Sequence, residues 1–321
     1  MELKKYDTKL LAYLYHNNRD SLTNIAKGVH LSREQVDYKI SKFIESGIIK
    51  KFIPIVNYSK LGYKHFIILL LRFNKPNQMQ IFLEEHKKDR NWISRGKVLA
   101  KYDMFMHLLF NDEKERNEYL SDMLQTHNEY IADCLILSPY FGALYPIKFL
   151  GSNKGGDYIL TEYGQGVVEL DEKDKSILKA LAKDARAKII DIAKEIGISA
   201  ELVLYRLRKL KKEGILLGSR IQFDMDKLGY FYASLLINIK NFSLKNQNKL
   251  KTFAKNAPYV TSIAFMVNKP NCFISLFYKN ENELRKTIEE LKKLFNGDSI
   301  EMDIFFVKSE EEEINTLPFL D

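Results

Sequence analysis

Residues 192–230 read IAKEIGISAELVLYRLRKLKKEGILLGSRIQFDMDKLGY, and this stretch decides the fold. Ile192, Ala193 and Ile196 recur at helical spacing and predict a short helix with one buried side. Gly197 marks a turn. Ser199 marks an N-cap, because its hydroxyl can satisfy an amide that the first helical turn leaves open. Val203, Leu207 and Leu210 predict a second helix with a single apolar stripe, ended by Gly214 at positive φ. Residues 215–223 alternate loosely, as expected of a short strand pair forming a wing. A helix, a glycine-containing turn and a second helix make the helix-turn-helix pattern, whose second helix enters the DNA major groove.

The stretch occurs twice. An offset of 167 residues (25 to 192) lays residues 25–63 on 192–230 without a gap. Over residues 4–63 and 171–230 about 18 of about 60 positions agree, a long-period repeat that indicates a duplicated domain rather than a solenoid. The matches include Ser32 with Ser199, Tyr38 with Tyr205, Gly47 with Gly214, and the run 60–63 with 227–230. After each run the periodicity changes. Residues 65–137 and 231–307 each read as strand, helix, two strands, helix, strand, which is the ferredoxin-like plait.

The predicted architecture is therefore α+β, with two copies of a winged helix-turn-helix followed by a βαββαβ plait. The units are expected at 1–58 and 59–150, then 171–225 and 226–321. Residues 151–170 form a polar, glycine-rich linker that could add a short hairpin within 158–170. The acidic run at 310–313 reads as a solvated tail or an exposed helix end.

At 321 residues and 45% hydrophobic, the chain can bury two sizeable cores. A net charge of +8 favours a polyanionic partner. Cys134 and Cys272 lie far apart inside apolar runs and read as core thiols of a reducing compartment. The start of the chain does not resemble a signal peptide. The longest apolar run, 66–71, is far short of the roughly 20 residues of a membrane span, so a cytoplasmic protein is expected.

On a helical wheel, the side opposite Val203, Leu207 and Leu210 carries Glu201, Tyr205, Arg208, Lys209 and Lys212. Copy one has Glu34, Tyr38, Ser41, Lys42 and Glu45 at those places. Arg reads guanine bidentately and Lys anchors phosphate, so copy two is expected to carry most of the affinity for double-stranded DNA. Arg206 and Lys211, with Arg33 and Lys39 in copy one, complete the expected DNA-contacting set. Solvation of an outer helix face is the plainer reading of such charges, and the helix-turn-helix context favours DNA.

The order of these motifs resembles the Lrp/AsnC (feast/famine) family of transcriptional regulators, here in tandem. The motifs are Leu170-Asp171-x-x-Asp174 with Ile177-Leu178, then Ile192-Ala193, Ser199, Val203, Arg206-Leu207, Leu210, Gly214-Ile215 and Leu228-Gly229-Tyr230. Copy one carries them less completely. The resemblance implies RAM-type plaits that pair through their sheets, within a chain or in a homodimer. It also implies a small effector, often an amino acid, near a Gly-x-Tyr/Trp-Asp loop between strands two and three. Ala100-Lys101-Tyr102-Asp103 matches that loop without its glycine, whereas Asn268-Lys269-Pro270-Asn271 in copy two does not match. From the residues alone, Tyr102-Asp103 reads equally as a ligand clamp or a tight turn.

No catalytic, metal or cofactor site is expected. The six histidines, at 16, 30, 65, 86, 107 and 127, fall at no metal-ligand spacing, and no phosphate loop or nucleophile elbow occurs. Sirohaem decarboxylases share this architecture, with a plait signature similar to His-Asn-Tyr-x-Arg. The corresponding stretches here, Ser94-Arg95-Gly96-Lys97-Val98 and Thr261-Ser262-Ile263-Ala264-Phe265, keep neither the His nor the Tyr. A regulator whose DNA contacts have given way to protein contacts is the other alternative.

Overall fold

The computed structural model describes residues 3–151, 157–162, 166–295, 300–308 and 312–320. Copy one begins with α1 (Lys5–Asn17), α2 (Leu22–Val29) and α3 (Arg33–Glu45), followed by β1 (Ile49–Val56). The Ser32 hydroxyl accepts from the Gln35 amide at 3.1 Å, and the Gln35 side chain accepts from the Ser32 amide at 2.9 Å. This reciprocal cap fixes where α3 starts. Val36, Ile40 and Phe43 then turn inward onto Leu10, Leu14 and Ile25.

The plait follows as β2 (His65–Phe73), α4 (Pro76–Glu85), β3 (Trp92–Leu99), β4 (Met104–Phe110), α5 (Glu113–Thr126) and β5 (Ile131–Leu137). Two further strands, β6 (Pro139–Leu144) and β7 (Tyr158–Glu162), lead to copy two. The same order then recurs. It runs α6 (Glu172–Lys183), α7 (Ile189–Ile196), α8 (Ala200–Lys212), β8 (Leu216–Phe223), β9 (Phe231–Ile239), α9 (Leu244–Asn256), β10 (Val260–Met266), β11 (Cys272–Tyr278), α10 (Glu281–Lys293), β12 (Ile300–Val307) and β13 (Glu313–Ile314).

The wings differ from the expectation. Each unit contributes one strand, not a pair, and the two strands pair with each other. β1 and β8 form an antiparallel two-stranded sheet in which Ile53 faces Arg220. These two residues are equivalent under the 167-residue offset, so the sheet is centred on an approximate two-fold axis. A lone strand leaves its amides and carbonyls open, and its counterpart in the other copy supplies them. The strands also exchange cores. Ile221, Phe223 and Met225 pack with the helices of copy one, and Val56 and Tyr58 pack with those of copy two.

Within the plaits the strand orders are β5-β2-β4-β3 and β12-β9-β11-β10. The described residues join them into one eleven-stranded sheet. Phe306 pairs with Leu99 between β12 and β3, and β6 crosses to pair with β10 from Ser262–Leu144 to Met266–Pro139. Helices cover one face of each plait, with Phe82 clustering with Met106 in copy one and Leu250 and Leu291 with Leu235 and Ile274 in copy two. The other faces meet. Phe105, Ile68 and Leu70 share a buried cluster with Phe273, Leu236 and Phe305, so the plaits pair within one chain. Trp92 and Phe105 are both buried.

Two smaller expectations are corrected. No hairpin forms within 158–170 among the described residues, since β7 pairs with β6, and residues 163–165 lie outside the description. Glu312 and Glu313 are not a solvated tail. Backbone pairing sets Glu313 opposite Arg95, and Lys50 and Gln222 donate to the Glu312 carbonyl. The pairing and these donors hold the segment between β3 and the wing sheet, while Glu310 and Glu311 lie outside the described residues. Each copy's tail then reaches the other copy. The Phe149 and Tyr230 rings meet at a tilt with centroids 4.4 Å apart, and those of Phe319 and Tyr63 likewise at 3.9 Å.

Candidate nucleic-acid interface

The second helix of each helix-turn-helix is held by one buried carboxylate on the helix that precedes the motif, α6 or α1. In copy two Asp174 is fully buried, with Arg206 Nη1 at 2.9 Å and Lys209 Nζ at 3.5 Å. Arg206 also bonds both oxygens of Asp171, the N-cap of α6, at 2.6 and 2.7 Å. The Arg206 hydrogen bond and the Asp174 amide pull the Asp171 carboxyl down to about 2. Copy one repeats the arrangement, with Lys39 Nζ 2.5 Å from Asp7. Arg206 and Lys39, both expected to contact DNA, thus lock α8 and α3 onto α6 and α1. That is a correction with an electrostatic cause, because a buried carboxylate requires a partner.

The remaining expected residues face outward. Arg208, Lys211 and Lys212 are exposed, as is Glu201, and Tyr205 is 64% exposed. Lys209 is half-buried against Asp174. On α3, Arg33 and Lys42 are exposed, Tyr38 is 65% exposed, and the Lys42 ammonium lies 5.9 Å from the Tyr38 ring centroid. Among the described residues, Arg208, Lys211 and Lys212 form no ion pair, so their charge is available to an external anion.

The expected effector loop is arranged differently. Tyr102 is 4% exposed and belongs to the cluster between the plaits. Asp103 accepts the Phe73 amide at 2.7 Å, and its own amide donates to the Leu71 carbonyl. Both side chains are committed to closing the turn and to inter-plait packing. Lys101 alone is exposed, 5.2 Å from the Tyr102 centroid and 3.9 Å from Asp133. Ala100, standing where the family signature has glycine, adopts φ 135°.

Sequence reasoning missed a cavity of about 190 Å³ between the wing sheet and the plaits. Arg220, His107 and Glu312 line it. His107 Nδ1 lies 2.7 Å from the Ser94 hydroxyl, and burial pushes the imidazole down to about 4. One signal was present in the sequence. Arg220 stands in β8 where copy one has Ile53, a charged residue at a position that the other copy keeps apolar.

Fold and surface together define a winged helix-turn-helix regulator. The family described as winged helix-turn-helix DNA-binding matches residues 170–216. The chain is 34% identical over 125 residues to an uncharacterised HTH-type transcriptional regulator of Pyrococcus horikoshii, covering 38% of this chain and 77% of that protein. It is 31% identical over 138 residues to the leucine-responsive regulatory protein of Rhizobium meliloti, covering 41% of this chain and 86% of that one. The chain belongs to the Lrp/AsnC family of helix-turn-helix regulators. Along its whole length it is similar in fold to the siroheme decarboxylase NirDL, with a TM-score of 0.62, 14% identity and coverage of 99% and 96%.

Proposed function

We propose that this chain is a sequence-specific DNA-binding transcriptional regulator in which α8 makes most of the contact and α3 a weaker one. The observation that carries this reading is the division of cations on α8. Arg206 and Lys209 hold the helix in place, and Arg208, Lys211 and Lys212 with Tyr205 stay exposed on its outer side. Such an arrangement suits a helix laid in a groove and bounded by phosphates. The regulator also answers to a small metabolite such as an amino acid, a proposal supported by the family. Selection of bound duplexes from a random pool, followed by affinity measurement over a range of salt, tests the reading. Log affinity should fall linearly with log salt, by about 0.9 per phosphate neutralised. No enrichment, or no salt dependence, would favour the alternative of protein contacts.

Tetrapyrrole chemistry is the second reading, supported by the full-length likeness in fold to a siroheme decarboxylase. Against it, neither Ser94-Arg95-Gly96-Lys97-Val98 nor Thr261-Ser262-Ile263-Ala264-Phe265 keeps the His or Tyr of the expected signature. A tetrapyrrole absorbance change on adding sirohaem would support it.

A further inference from the structure

The cavity between the wing sheet and the plaits draws its walls from both copies. At about 10–15 Å³ per water-sized position, its volume of about 190 Å³ has room for on the order of a dozen or more non-hydrogen atoms. Much of the lining is apolar, with Ile53, Ile68, Ile93, Ile263 and Phe273 among it. Polar groups converge on this apolar space from three directions. β8 supplies Arg220, the segment before β13 supplies Glu312, and β4 supplies His107.

Three lining atoms have no hydrogen-bond partner among the described residues: His107 Nε2, Thr161 Oγ1 and Thr316 Oγ1. Thr161 and Thr316 are only 8% and 5% exposed. Buried polar atoms without partners are uncommon in folded proteins, and three around one cavity mark a place that something else completes. Water can serve hydroxyls, but it does not balance charge.

The charges give the missing component its sign. Arg220 stays cationic at every accessible pH, with the Tyr15 hydroxyl and Glu312 beside it. Burial pushes the Glu312 carboxyl up toward neutrality, opposed by Arg220 and Lys50. Arg220 and Glu312 are the charged residues of the wall, and burial weakens the charge of the carboxylate but not that of the guanidinium, which is left to meet an entering anion. His107 remains neutral near pH 7 and adds hydrogen-bonding capacity without charge.

We propose that this cavity binds a small amphipathic monocarboxylate, with its carboxylate on Arg220 and the neighbouring hydroxyls and its hydrocarbon body among the isoleucines. The planar fork of Arg matches a carboxylate bidentately. The site is single despite the repeat, because Arg220 faces Ile53 across the approximate two-fold and His107 has Ser275 as its counterpart. It also lies apart from the Lys101-Tyr102-Asp103 turn.

The test uses the full chain without DNA, so its failure leaves the DNA-binding reading untouched. Hexanoate, octanoate and phenylacetate are titrated by calorimetry and thermal melting, beside hexanol and hexylamine. At least one carboxylate should bind with Kd below about 1 mM and raise Tm, with the alcohol and amine at least about tenfold weaker. Arg220→Met should erase that preference, Arg220→Lys should keep part of it, and Thr161→Val should weaken carboxylate binding severalfold. Circular dichroism establishes that each variant folds, and if Arg220→Met does not, Arg220→Lys and Thr161→Val decide. No binding by any of the three carboxylates, equal binding of hexanol, or unchanged binding by folded Arg220→Lys and Thr161→Val would each overturn the proposal.

Discussion

On α8 the outward positions are Tyr205, Arg208, Lys211 and Lys212; the same positions of α3 hold Tyr38, Ser41, Ile44 and Glu45. Inward, the two helices agree. Each has a Ser N-cap, a three-residue apolar stripe and a cation bound to a carboxylate of the first helix. What packs has been kept, and of the four outward positions only the tyrosine is shared, because a buried position is held by all its neighbours while an exposed one answers only to a partner. The difference assigns scaffolding to the shared residues and recognition to the divergent ones.

The largest effect should come from the shared ion pair. Arg206→Ala leaves the fully buried Asp174 with only Lys209 at 3.5 Å and should cost about 3–5 kcal/mol of stability in denaturant unfolding. Lys39→Ala, beside the less buried Asp7, should cost clearly less. If Arg206→Ala weakened DNA binding while leaving stability unchanged, Arg206 would belong to the interface and the comparison would break.

Acid should separate the copies next. His107 is held at about 4 in the fold against 6.5 when unfolded, so the unfolded chain takes up the proton first as pH falls. Its contribution to stability is intact above pH 6.5 and is lost as pH falls toward 4, by up to about 3 kcal/mol. Ser275, its counterpart, does not titrate in this range. His107→Leu should flatten this part of the pH–stability curve, and an unchanged curve would place the loss elsewhere.

On a selected duplex, Arg208→Ala with Lys212→Ala should cost about 2 kcal/mol of binding, roughly thirtyfold, and flatten the salt slope. Ser41→Ala with Glu45→Ala should cost nothing or gain slightly. Equal losses would mean that both helices read the duplex alike.

The smallest effect concerns the turn before each second helix. Gly197 takes φ 70°, and its counterpart His30 takes φ 59°. A side chain there carries the left-handed penalty, so His30→Gly should raise stability by about 0.5–1 kcal/mol. A loss would show that the His30 side chain supports the turn.

The helices, their caps and the plait strands were legible because their signals are local. Ser32-x-x-Gln35, the stripe of Val203, Leu207 and Leu210, and the strands flanking Phe105 each declare themselves within about ten residues. The β1–β8 pairing was not legible, since nothing within 49–56 names a partner more than a hundred residues away. Pro139 at the start of β6 also disguised a strand that crosses to the other plait. Of the candidate site, the outer row of α8 was readable from the wheel. The inward turn of Arg206 was not, because a helical wheel does not show which acid on another helix waits for a cation.

The exchanged strands have a consequence for what the molecule can read. A homodimer presents two identical helices and loses one of them on dilution. Here the partner is tethered, so the pair persists at any concentration, and a change in one helix is not copied into the other. A protein built this way is free of the demand for a palindrome and can be fitted to a lopsided site, one half gripped and the other merely touched.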